Sequence, residues 1–462
     1  MTIDSTWLCA FKEEMPHAFT QRNPFQSTAV FVDGQIKLMQ GPPPEPQTWD
    51  DFIYRQFVRH LARFFESCDV VILAFDNYEH VPRAKCMTQA KRRRNIPVLP
   101  FSATSELPCM VPEGERWTQS IANRVFKTRV IDLVLLRLPA LLLLHHPKRR
   151  LIVDYQVPVE YRFDPHDSQI HAQPIEEFPA MGEADLKFTR FADRFGKLMV
   201  DSIDGDSIPI ALMHHERCLR RAAPPPMVSI YRMQLNVPSS SSSSAGKLNV
   251  AGSASAGKLD SAGRELGKRP ASGDDQPKKR PPPRQYEYVN VHALYEGLKQ
   301  AIAQSNGRIR IPTHAGHEMS MLIGLIALTG TDFSRNLPQM SGKSVYSWLP
   351  DIWPALAAAY HPGMGCLVQE RAVDQLVALL YRIKFAKHAK AQDSLQGVLA
   401  DLHGSTIAAR TKESLPSVER VACTVRNANW VLAYWTCDPA PDPIQPAFGF
   451  RLLPSGCPEY DD

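Results

Sequence analysis

With 462 residues and 44% hydrophobic content, the chain is long enough for one large domain or two ordinary ones with a sizeable core, and it reads as soluble and globular. The formal net charge of +5 comes entirely from residues 239–284, whose nine Lys/Arg and four Asp/Glu account for the whole excess, so a uniformly basic surface is excluded and any nucleic-acid footprint is local. Nine scattered cysteines form no C-x-x-C pair, which argues against a structural zinc site and fits thiols kept reduced in cytosol or nucleus.

The N-terminus "MTIDSTWLCAFKEEM" has neither a basic n-region nor a continuous apolar h-region, so no secretory routing is expected. Downstream, short apolar runs repeatedly end in acids. "STAVFVDG" closes at Asp33, "CDVVILAFD" at Asp76, "LIVDY" at Asp154, and "GKLMVDSIDGD" at Asp204 and Asp206. Between them lie helical patterns such as "DFIYRQFVRHLARFFESC" (51–68), and the alternation predicts an α/β protein with a largely parallel sheet. The greasiest stretch, "VIDLVLLRLPALLLLHH" (130–146), is interrupted by Asp132, Arg137 and Pro139 and falls short of the about 18 apolar residues a bilayer span needs. It reads as core, and no membrane partner is expected.

Residues 238–284 are Ser-, Pro- and Lys-rich with almost no large apolar side chains, and cannot offset their ordering entropy. Lys268-Arg269 precede Lys278-Lys279-Arg280 as in a two-part nuclear import signal; the alternative is a plain solvated linker. After it, "EYVNVHALYEGLKQAIAQS" and "HEMSMLIGLIALTGTD" have helical periodicity, the second ending at Asp332, and the tail reads as helical. Within the tail, "NANWVLAYW" is read as aromatic core or an edge strand. The expected organisation is a first core segment over 1–222, a linker over 223–285 with an import receptor as its partner, the rest of the core over 286–350, and a helical region over 351–462.

The acids at element ends form a set: Asp33, Asp76, Glu183 and Asp185 in "GEADLKF", Asp204 and Asp206 in "IDGDS", and Asp332 in "TGTDF". Taken singly, each has an ordinary reading as a strand-end or helix-cap residue. Converging, they would repel one another unless cations neutralised them. Mg²⁺ or Mn²⁺ takes oxygen ligands, and two such ions roughly 4 Å apart activate a water and stabilise the leaving oxygen in phosphodiester cleavage. His214 and His215 are candidate bases, although a His pair after an apolar strand is more often structural.

Asp76 is followed by "VPRAKCMTQAKRRR". That stretch resembles the Xrn-type 5′→3′ exoribonuclease motif P-R-A-K-x-x-x-Q-x-x-R-R. "GEADLKF" resembles the family's G-E-G-E-H-K with Asp185 in place of its second Glu, "IDGDSIPIALMHHE" resembles L-D-A-D-L-I-M-L-x-L-x-x-H-E, "YEYVNVHALYEGL" resembles a family helix, and "LTGTDFSRNLP" resembles L-G-N-D-F-L-P-x-L-P, all in chain order. The resemblance implies a PIN-like (FEN/Xrn) nuclease core with a mostly parallel sheet flanked by helices. It also implies that the seven acids are catalytic and metal-binding, and that Lys85, Gln89, Arg92 and Arg93, with Arg83 at their start, hold a 5′-monophosphate. On a helix starting near Arg83, Lys85, Gln89 and Arg92/Arg93 follow one another three or four apart, so these four share one face. The implied activity is Mg²⁺-dependent 5′→3′ cleavage of single-stranded 5′-monophosphorylated nucleic acid, RNA first, in nucleus or cytoplasm. Alternatives are a flap endonuclease of the same superfamily, or a catalytically weak nucleic-acid-binding adaptor. Three departures stand out: Asn77 replaces a Gly and two residues are added before Pro82, the family's Gly-Val-Pro-x-Phe start is missing although "STWLCAFKEEMPHAF" offers a first helix, and the chain is short for the family.

Overall fold

The structure is a computed structural model and describes residues 5–42, 45, 47–77, 96–178, 181–202, 205–233, 286–306, 316–329, 337–367, 370–387, 389, 394–405, 415–436, 450–452 and 458–460. Its centre is one mixed sheet of nine strands: β1 (Phe19–Thr20), β2 (Ala29–Asp33), β3 (Val70–Ala74), β4 (Arg150–Asp154), β5 (Pro158–Asp164), β6 (Gln169–Pro174), β7 (Lys197–Asp201), β8 (Met227–Met233) and β9 (Tyr286–Asn290). The order across the sheet is β1-β9-β8-β7-β2-β3-β4-β5-β6. The five central strands, β8 to β4, run parallel, and the outer ones are antiparallel. The four apolar runs of the sequence are β2, β3, β4 and β7. Every residue of β2 and β3 is buried, as expected of parallel strands covered on both faces.

Two helical layers supply that cover. On one face Ala184–Phe195, Ser207–Arg220 and Val291–Asn306 pack with the C-terminal helices over Phe31, Ile72, Val200 and Ile230. On the other, residues 49–66 and the helix Arg124–Leu143 pack over Val30, Val32, Val71 and Leu73. The 49–66 stretch starts at a Thr48/Asp51 capping box and passes through a π-helical turn at Tyr54–Val58. The 130–146 run lies mostly in the Arg124–Leu143 helix, where Val130, Ile131, Val134, Leu138 and Leu142 are buried core. Among the described residues no helix is long and apolar enough to cross a membrane.

Two sequence expectations need correction. "EYVNV" does not begin the helix that follows it: Tyr286–Asn290 is β9, in which burial alternates with the strand period and the backbone pairs with β8 and β1. Residues 227–233, assigned above to the linker, are β8 inside the sheet, so the core extends to Met233; residues 234–285 lie outside the described residues. A β5–β6 hairpin, whose mixed polar pattern gave no strand signal, extends the sheet beyond β4. Of the two readings of "NANWVLAYW" the aromatic core holds and the edge strand does not: it is part of the helix Val418–Thr436, with Trp430 and Tyr434 stacked at 5.1 Å in the core. That helix packs against Glu318–Thr329, where a Cβ at Gly324 would sit 3.2 Å from Leu432. The C-terminal helices therefore share the core of the sheet and are not a separate region.

Candidate active site

The parallel strands deliver a row of acids to one edge of the sheet. Asp33 is the last residue of β2, in register with Ala74 of β3, and Asp76 follows two residues later. Asp154 closes β4 and Asp201 closes β7. From β2 the chain proceeds to β3 on one side, while β7 lies on the other. This is a topological switch point, where open α/β sheets form their sites at the carboxyl ends of the strands.

Asp33 caps the short helix Gly34–Met39, its Oδ1 accepting from the Gln35 and Ile36 amides at 2.8 and 3.3 Å. The turn needs glycine at position 34, since a Cβ there would lie 2.6 Å from the Phe75 ring and 2.9 Å from the Ala74 carbonyl oxygen. The close approach holds Asp33 against the Phe75–Asp76 segment. Asp76, 4% exposed, accepts from the Ala184 amide at 3.1 Å, and the Asn77 amide donates to the Gly182 carbonyl at 2.6 Å. The end of β3 thus clamps "GEAD", placing buried Glu183 at the N-cap and Asp185 in the first turn of the helix Ala184–Phe195. Both positions favour negative charge through the helix dipole.

One buried phenol reports their convergence. Tyr434, from the Val418–Thr436 helix, has its pKa pushed well above the usual tyrosine range, first by burial and then by the carboxylates of Glu183, Asp76 and Asp185. Three acids from two distant stretches of sequence therefore act on one interior point. Tyr434 is a site neighbour that sequence reasoning missed. Its only signal was an aromatic cluster in the tail.

Asp154 reaches the same edge but is neutralised. It is fully buried, 3.0 Å from the Lys187 ammonium and ion-paired with Arg190. Lys187 also donates to the Phe75, Asp154 and Tyr155 carbonyls at 2.7, 3.2 and 2.9 Å. Burial lowers the Lys187 pKa, while the charges of Asp154 and, to a lesser extent, Asp76 raise it. Lys187 is the Lys of "GEADLKF", so the helix that presents Glu183 and Asp185 also ties the β3 and β4 ends together.

Asp206, 1% exposed, occupies the N-cap position of the helix Ser207–Arg220 after β7, the strand beside β2. Asp204, Asp332, Arg83, Lys85, Gln89, Arg92 and Arg93 lie outside the described residues. Among the described residues, two groups of three could hold a metal ion, with ligand atoms within 4.8 Å of one another: Asp193/His214/Cys218 and Asp164/Asp167/His171. None of Asp33, Asp76, Glu183, Asp185 or Asp206 belongs to either group. These five are oxygen donors of the kind hard divalent cations take. Asp33, Asp76, Glu183 and Asp206 are buried, and buried carboxylates along one sheet edge suit a cation.

The two histidines have structural partners. His214 Nδ1 faces Arg217 at 2.9 Å and its Nε2 faces Asp193 at 2.8 Å. Because Arg only donates, Nδ1 accepts and the ring proton sits on Nε2. His215 packs on Tyr295 with ring centroids 4.6 Å apart and lies 3.4 Å from His292, and its pKa is lowered to about 4, by burial first and then by the neighbouring histidines. Glu216 caps the helix Glu318–Thr329, accepting from the Met319 and Ser320 amides at 2.7 and 3.0 Å.

Fold and site together define a class: an α/β protein with a nine-stranded mixed sheet and an acidic carboxyl edge at its switch point. No protein-family model and no curated protein matches the chain.

Proposed function

We propose that the chain is a PIN-like (FEN/Xrn) metal-dependent nuclease that removes nucleotides from the 5′-monophosphate end of single-stranded nucleic acid, RNA first. The observation that carries this reading is the clamp between Asp76 and the Ala184 amide, which brings Glu183 and Asp185 to the strand ends that bear Asp33 and Asp76. Mg²⁺ or Mn²⁺, as a pair of ions held by these acids with Asp204, Asp206 and Asp332, would supply a hydroxide nucleophile and stabilise the departing 3′ oxygen. In this reading, Asp33 and Asp76 fix the site to the rigid sheet. Glu183 and Asp185 supply oxygens at a helix N-terminus, and Lys187 keeps the β3 and β4 ends in place without touching the substrate. Lys85, Gln89, Arg92 and Arg93 follow Asp76 in sequence and are assigned to the 5′ phosphate, so that the scissile bond is measured from that end.

The test is a time course on 5′-monophosphorylated RNA, the same RNA with a 5′-hydroxyl, and a DNA flap, each with Mg²⁺ and with chelator. Mononucleotide release confined to the 5′-monophosphate strand with Mg²⁺ is expected. Equal cleavage of the first two strands, or cleavage of the flap alone, overturns the exoribonuclease reading and favours the flap-endonuclease one; no cleavage of any strand favours the adaptor.

A further inference from the structure

The sheet carries a second surface, aromatic instead of acidic. Along β8 and β9, side chains alternate between faces. Val228 and Ile230, with Val289, enter the core beneath the Ala184–Phe195 layer, and Glu287 on that side meets Lys12 at 2.5 Å. Tyr231, Tyr286 and Tyr288 project from the opposite face. Tyr231 is in register with Tyr288, their rings 4.9 Å apart, and stacks on Tyr286 at 5.1 Å with an interplanar angle of 17°.

Beside these rings a cleft of about 390 Å³ opens over β2, β7, β8 and β9, bounded by Tyr231, Tyr288, Arg63, Phe64 and Asn23. The Arg63 guanidinium lies 4.7 Å over the Phe64 ring and 3.8 Å from Asp201, with its side chain 46% exposed. Asn23 is held by Ser27 and Ser229 hydroxyls at 3.0 and 2.9 Å, so that wall is fixed. Tyr231 is also in register with Asp201, the end of β7 beside β2, so this wall of the cleft stands level with one acidic strand end.

We propose that this face binds nucleobases of a single-stranded nucleic acid, which stack on Tyr231, Tyr286 and Tyr288 while Arg63 meets a neighbouring phosphate. Aromatic rings on an open sheet, flanked by one guanidinium, are the chemistry of sequence-tolerant base stacking. Arg63 approaches Asp201 only at 3.8 Å and its side chain is 46% exposed, so N–H donors remain for a phosphate. The inference rests on the nuclease reading only in taking nucleic acid as the substrate class. It concerns binding away from the metals, so it is tested without them.

The experiment measures the affinity of the full chain, in EDTA, for a short 3′-labelled oligouridylate with a 5′-hydroxyl and for an abasic strand of equal length. Wild type should bind the oligouridylate more tightly than the abasic strand. Tyr231→Leu/Tyr288→Leu should weaken oligouridylate binding by about tenfold or more and leave the abasic strand unchanged, whereas Tyr231→Phe/Tyr288→Phe should stay within about twofold of wild type. Tyr286→Leu, at a position 40% exposed, carries the same expectation if the double variant does not fold. Undiminished oligouridylate binding by the Leu variants, or equal wild-type affinity for the abasic strand, overturns the proposal. Absence of nuclease activity with base-dependent binding intact would instead overturn only the reading of the metal edge.

Discussion

Asp76 joins two roles in one side chain, holding the Ala184 amide and contributing charge to the edge. Asp76→Asn separates them, because the amide oxygen still accepts from Ala184 while the charge is gone. Hydrolysis should fall by at least about 100-fold, more than the loss of an outer-shell partner typically costs. The melting temperature should hold or rise as repulsion is relieved. Near-wild-type hydrolysis by Asp76→Asn would remove it from the ligand set. Lys187→Met should be far more damaging to the fold, about 3–5 kcal/mol by urea denaturation, since it strips one counter-charge from a fully buried Asp154. A third expectation concerns pH. The His215 pKa is depressed to about 4 from the ordinary 6.5, so the unfolded chain binds the extra proton between those values. The stability from neutral His215 is therefore present above pH 6.5 and lost as pH falls towards 4. His215→Gln should flatten the melting temperature across that window, and an unchanged slope would show that another group governs it.

At the scale of elements, the local rules and the tertiary ones meet at two helix starts. Asp33 caps its own helix, as an acid after a strand is expected to do, but Gly34 is dictated by the Phe75 ring packed on it. Gly34→Ala should cost about 1–3 kcal/mol through overpacking, and should also lower hydrolysis by shifting Asp33. Glu216 is a longer-range case, capping the Glu318–Thr329 helix from another helix. Glu216→Ala would leave two buried amides unpaired and should destabilise by about 2–4 kcal/mol, read by chemical denaturation. β2, β3, β4 and β7 were legible because a parallel strand covered on both faces is an unbroken apolar run, whereas β8, "MVSIYRM", mixes polar and apolar residues and was not. β9 was not, because five residues that continue into a helix satisfy both periodicities until a neighbouring strand chooses.

For the whole molecule, the insertion between β8 and β9 is the informative feature. Met233 and Tyr286 are direct partners in the antiparallel pair, so the ends of the intervening segment already stand side by side. Deleting residues 239–284 leaves a connection of six residues, 234–238 and 285, where the full chain has residues 234–285. About three halvings of loop length should stabilise the protein by roughly 2 kcal/mol. Cleavage of short substrates should be retained, and nuclear accumulation of a tagged chain should fall. Unfolding of the deletion variant would show instead that the segment packs on the core.

The sequence by itself determined that β2, β3, β4 and β7 are buried and that acids stand at or just beyond their ends, since both properties follow from short-range pattern: apolar runs seek cover, and the chain leaving a parallel strand emerges at the sheet edge. The apolar pattern did not distinguish Asp154 from Asp76, because each ends the same kind of run; the family resemblance alone set Asp76 apart. Only the tertiary structure set Lys187 and Arg190 beside the first, and Ala184 and Tyr434 in the environment of the second. The strand order that makes β2 and β7 neighbours, and the stacking of Tyr231 on Tyr286 across the insertion, were likewise decided by long-range packing. The physical reason is the same in each case: a side chain's charge and burial depend on partners far away in the chain, and no local window contains them.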